Sequence, residues 1–134
     1  MTVSEICEKI DAVTVCGETE KSFSGVYVGD LLSRAMSRVE TDNVWVTIMS
    51  NVNVVAVATL TEPAAIVLAE NVSLQDDALE SAKENSITVL RSPLSAYEIC
   101  ARITEGTFPL ANNFSTPNES DVKKSAPHAS LAKK

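Results

Sequence analysis

The 134-residue sequence is poor in the residues that most binding and catalytic sites need. Aromatic residues make up only 4% of it, too few for a platform on which nucleic-acid bases stack. The single histidine, His128, stands in a polar stretch near the C-terminus without companion ligands. No serine therefore has a histidine base, no G-x-S-x-G occurs, and neither a metal nor a catalytic role is read for His128. The glycines are Gly17, Gly25, Gly29 and Gly106, and none directly precedes Lys-Ser or Lys-Thr. That excludes the G-x-x-x-x-G-K-[ST] loop that cradles phosphates. Cys7, Cys16 and Cys100 are odd in number and far apart, with no C-x-x-C, which excludes a zinc knuckle and a thioredoxin-type site. Basic charge is scarce as well, 11 Lys and Arg against 18 Asp and Glu, and a net charge of −7 argues against a nucleic-acid surface. No apolar run reaches the roughly 18 residues of a membrane span. The N-terminus has no basic region followed by an apolar stretch, so no secretory signal is read and a cytoplasmic domain is expected.

What is present reads as one globular domain with a tail. Hydrophobic residues are 45% and charged residues 22%, a composition that supports a packed core. From Thr107 the text turns to small polar residues, with Pro109, Pro117 and Pro127 and no periodicity. Such a stretch buries too little apolar surface to offset its ordering entropy. We therefore divide the chain into a folded domain, 1–106, and a disordered polar tail, 107–134. Phe108, Leu110 and Phe114 are the tail residues able to pack back on the domain. The tail's four lysines face only Glu119 and Asp121, a surplus of +2, so residues 1–106 carry −9. Such acidity is usually a solvated surface.

Helix and strand patterns alternate along the domain. Val3, Ile6, Cys7 and Ile10 share one helical face, opened by a Thr2–Glu5 capping box. Strands are expected at Ala12–Cys16 and Ser24–Val28. Asp30 is expected to cap a helix through Val39. Val44–Met49, Ala65–Leu68 and Ile87–Leu90 are apolar on both parities, as in strands covered on both faces. Ser73–Asn85 reads as a helix capped by Ser73. A Ser95–Glu98 capping box opens the last helix, which carries Cys100 on its apolar stripe and is expected to stop at Gly106. Asn53–Thr61 has strand propensity, yet it joins two buried strands, where a parallel sheet needs a crossover helix. We read it as helix. The result is an α/β layered domain with a mainly parallel sheet and helices on both faces.

Several strings together resemble the DRTGG domain family. They are Asp30-Leu31-Leu32-Ser33, Asn43-Val44-Trp45-Val46-Thr47, Asn53-Val54-Val55-Ala56-Val57-Ala58 and Ser92-Pro93-Leu94-Ser95-Ala96-Tyr97-Glu98. The resemblance spans about residues 1–105 and is nearest to short stand-alone members. It implies a fold similar to the N-terminal domain of HPr kinase/phosphorylase and to DRTGG domains beside CBS pairs in pyrophosphatases. It also implies an accessory, often dimer-forming unit, with an association to hydrogenase or electron-bifurcating redox complexes. The family is named for Asp-Arg after the third strand and Thr-Gly-Gly after the fourth. Ser50, Asn51, Val52 and Asn53 hold the first place here, and Ala69, Glu70 and Asn71 the second.

Ligands of open α/β sheets bind outside the carboxyl ends of the strands. There, Ser50, Asn51 and Asn53 precede one helix N-terminus, and Arg91, Ser92 and Ser95 precede another. Exposed N–H groups at such ends favour anions. The plainer roles are caps for Asn51, Asn53 and Ser95 and a salt bridge for Arg91. If the two strands are neighbours, the six residues form one polar cluster able to take a nucleotide or phosphate. The expectation is a non-catalytic regulatory or accessory module that forms a homodimer and binds a partner protein or a small anionic ligand. It uses no cofactor and no metal, and it meets neither nucleic acid nor membrane. The alternatives are an HPr kinase-like phosphotransferase, which lacks its phosphate loop here, and a purely structural subunit of a redox complex.

Overall fold

A computed structural model describes residues 1–107, and the sequence boundary at 107 together with the tail lies at or outside that limit. Ten elements occur in the order the patterns predict. Helix α1 (Val3–Lys9) is followed by strands β1 (Val13–Cys16) and β2 (Gly25–Val28). Then α2 (Leu32–Arg38), β3 (Asn43–Thr47), α3 (Val52–Thr61), β4 (Ala65–Leu68), α4 (Asp76–Glu84), β5 (Val89–Arg91) and α5 (Ala96–Thr107) alternate. The strands form one sheet in the order β1-β5-β4-β3-β2. Strands β2 to β5 run parallel, and β1 joins β5 antiparallel.

The doubly apolar strands sit where burial demands them. All four residues of β4 are fully buried, because helices cover both faces of the sheet centre. On one face α2, α3 and α4 bury Ala35, Val54, Ala58, Ala78 and Ala82 against Trp45, Ile66, Leu68 and Val89. On the other, α1 and α5 bury Val3, Ile6, Ile10, Ile99 and Ile103 against Val44, Val46, Val67 and Leu90. Each parallel crossover from β2 to β5 steps to the adjacent position, with its helix on the same face. The sheet therefore has no point at which the strand order reverses. The helix at 52–61 forms despite its β-branched residues. Packing against α2 and α4 outweighs propensity, and the Thr59 and Thr61 hydroxyls donate back to Val55 O and Val57 O at 2.9 and 3.0 Å.

Several local expectations need correction. Asp30 does not cap α2: Leu31 holds that position without a side-chain bond, and Asp30 reaches across to β3 instead. Ser73 does not cap α4, which starts later, after Gln75. Gly106 does not stop α5, which continues to Thr107. Strand ends move by one or two residues, the usual slack of pattern reading.

Candidate functional site at the carboxyl edge of the sheet

The carboxyl edge is built from the connections that leave β2, β3, β4 and β5. Asp30, two residues beyond β2, accepts from Thr47 Oγ1 at 2.7 Å and from the Ile48 N–H at 2.9 Å. This clamps the end of β2 to the end of β3. Asn51 caps α3, its Oδ1 accepting from the Asn53 N–H at 3.0 Å. The Ser50 carbonyl accepts from the Gln75 N–H at 2.9 Å, so the lead-ins to α3 and α4 are tied together. Asn53 itself is exposed on the first turn.

Beyond β4 the backbone turns through two left-handed residues, Glu70 at φ 55° and Asn71 at φ 59°. Neither is glycine, and for glutamate this region is costly. Their N–H groups are fully used: Glu70 donates to Leu94 O and Asn71 to Ser92 O, each at 2.8 Å. The turn thus grips the β5–α5 connection and presents no free nest of N–H groups there.

Arg91 ends β5 on the α4 face, in register with Leu68 of β4 and Val13 of β1. Its Nη1 donates to Ser73 Oγ at 3.3 Å, and among the described residues it makes no ion pair. Its Nε is buried and has no partner among the described residues. Ser92 is fully buried and occupied: Oγ donates to Ile10 O at 2.6 Å and accepts from the Leu94 N–H at 3.1 Å. Ser95 caps α5 by accepting from the Glu98 N–H at 3.2 Å.

The six expected site residues are therefore not one cluster. Strand β4 separates β3 from β5, and α3 and α5 lie on opposite faces of the sheet. Ser50, Asn51 and Asn53 gather before α3. Arg91 lies on that same face, over β5, whereas Ser95 heads the opposite face and Ser92 is sealed between. The edge also uses Thr47, Glu70, Asn71 and Ser73, none of them among the six. In the sequence, Glu70 and Asn71 stand at the place of the family's second signature, and Ser73 reads as a helix cap. Among the described residues no group of three or more His, Cys, Asp and Glu side chains is placed to hold a metal ion. No described helix is long and apolar enough to cross a membrane.

Residues 5–105 match the DRTGG domain. The chain belongs to the DRTGG domain family. The DRTGG fold recurs in the solved structure of the CBS and DRTGG domains of the regulatory region of Clostridium perfringens pyrophosphatase, complexed with its activator, diadenosine tetraphosphate. The two superpose with a TM-score of 0.66 at 16% identity, over 76% of this chain and 45% of that one. This chain thus spans less than half the length of that neighbour, and the likeness is one of fold. No curated protein matches it in sequence.

Proposed function

We propose that this DRTGG protein is a cytoplasmic, non-catalytic regulatory or accessory module that takes a small anionic ligand at its carboxyl edge and pairs with a second copy. The observation that carries the reading is Arg91. Its buried Nε has no partner in an otherwise acidic domain, and an anion at the end of β5 would supply the missing acceptor. Asn71, Ser73 and the Ser50–Asn53 lead-in border the same face of the edge. The activator of the pyrophosphatase regulatory region is a nucleotide with four phosphates, which suits the same ligand class. Ser73 accepts from Arg91, Ser92 donates to a backbone carbonyl, and Ser95 meets the Glu98 carboxylate only at 3.4 Å within its capping box, which favours binding over catalysis. Pairing is supported by exposed apolar side chains on α2, Leu31 at 61% and Met36 at 52%. The redox-complex partner implied by the family resemblance is a matter for copurification from native cells.

Titration with adenine and uridine nucleotides, followed by amide NMR, tests the ligand. Shifts are expected at Asn71, Ser73 and Arg91. Arg91→Ala should weaken binding by about 1–3 kcal/mol, a charge-assisted contact. Shifts confined to other surfaces, or none at millimolar nucleotide, would remove the site. Sedimentation of the full chain tests pairing: a single species of monomer mass at high concentration rules it out.

A further inference from the structure

The face of the sheet that carries α1 and α5 is one helix short. Val26 and Val28 of the edge strand β2 stand in register with Val44 and Val46, which α1 and α5 bury. Val26 and Val28 lie beyond that cover and are 39% and 47% exposed. Between β2 and α5 lies an open groove of about 540 Å³ lined by Phe23, Val26, Val28, Cys100 and Thr104, together with Ser24 and Gly25. None of the described lining residues is charged. β2 is also a sheet edge with neither proline nor lysine to protect it, the kind of edge on which an extended chain can pair.

We propose that this groove is the seat of the chain's own segment 108–114. The point of departure argues for it. Thr104 lines the groove beside Ser24 and Gly25, and the described part of α5 reaches Thr107, one turn further on. Segment 108–114 is therefore tethered within one turn of the groove, next to the start of β2. Reach is ample: seven extended residues span up to about 25 Å, and four residues of strand about 13 Å. Chemistry fits as well. Residues 107–118 contain no charged side chain, matching the uncharged lining, and Phe108, Leu110 and Phe114 supply the apolar groups. A residue before proline favours extended backbone, and in an extended segment Phe108 and Leu110 fall on one side. A proline lacking its N–H is tolerated beside a sheet edge, where one side of the added strand faces solvent. A tethered segment competes at millimolar effective concentration, which a free second copy does not reach in dilute solution.

The test uses the full chain. In dilute protein, nuclear Overhauser contacts are expected from the Phe108 or Phe114 ring to the Val26 and Val28 methyl groups. The double variant Phe108→Asp, Leu110→Asp lies outside both cores and should abolish these contacts and shift the Val26 and Val28 methyl signals. Absence of such contacts, or methyl signals that stay in place in the variant, overturns the proposal. Contacts that appear only between differently labelled chains in a mixed sample also overturn it, and assign the groove to a second copy.

Discussion

Thr47 donates its hydroxyl to Asp30 across two parallel strands, at 2.7 Å. Thr47 is 2% exposed, so its hydroxyl has no water to turn to. The same carboxylate oxygen holds the Ile48 N–H, and Thr47 Oγ1 in turn accepts from the Met49 N–H at 3.2 Å. One side chain therefore fixes the path by which β3 leads to α3.

Asp30→Ala should destabilise the domain by about 1–3 kcal/mol, the cost of a buried hydroxyl left without its acceptor. Asp30→Asn keeps an acceptor and should cost less. Urea denaturation of both variants beside the parent measures the difference. Equal losses would show that the charge, and not the acceptor, matters.

Glu70 carries a different kind of cost. A non-glycine residue at φ 55° is strained, and glycine relieves that at the expense of a freer unfolded chain. Glu70→Gly is expected to be neutral to stabilising, by up to about 1 kcal/mol. A fall in melting temperature would show that the carboxylate makes a contact that outweighs the strain.

Ser92 and Arg91 separate structure from binding. Ser92→Ala strands the Ile10 carbonyl and the Leu94 N–H, and should lose roughly 1–2 kcal/mol of stability while nucleotide affinity holds. Arg91→Ala should do the reverse, with affinity falling and stability nearly kept. Parallel calorimetry and titration of the two variants decide whether the site includes Ser92.

Glu5 supplies a pH signature. The Thr2 N–H at 2.9 Å, and then the Thr2 hydroxyl, hold its carboxyl below the usual carboxylate range. A depressed folded value means that its stabilisation is present above the ordinary carboxyl pKa of about 4.3 and is lost as the pH falls through the folded value. The melting temperature of Glu5→Gln should lie below the parent's at pH 7, and the gap should close in acid. A gap that persists at low pH would point to shape rather than charge.

The element order was legible because its strongest signals are local. Ala65–Leu68 is apolar on both parities, and it is buried on both faces. Asn53–Thr61 was legible only through topology, since its residues alone favour strand. The caps were half legible. Thr2 and Ser95 cap as their types suggest, while Asp30 and Ser73, of equally suitable type, spend their oxygens on Thr47 and Arg91. Residue type reveals the capacity to accept a bond but not which donor tertiary packing will bring. Strand order was not legible, because a βαβ unit has the same local pattern whichever neighbour it joins. That is why Asn51 and Ser95 were expected together and stand on opposite faces.

The stepwise winding of β2 to β5 also sets an order of assembly. From β3 onward each of these strands pairs with the one synthesised just before it, across a short crossover. β1 emerges from the ribosome first and pairs last, since Val13 must wait for Arg91. The apolar stripe of α1 shares its cluster with α5, the last element made, so that cluster is complete only then. A nascent chain halted before residue 89 would lack the partner strand of β1, and the loop from Val13 to Arg91 is the longest in sequence that the sheet has to close.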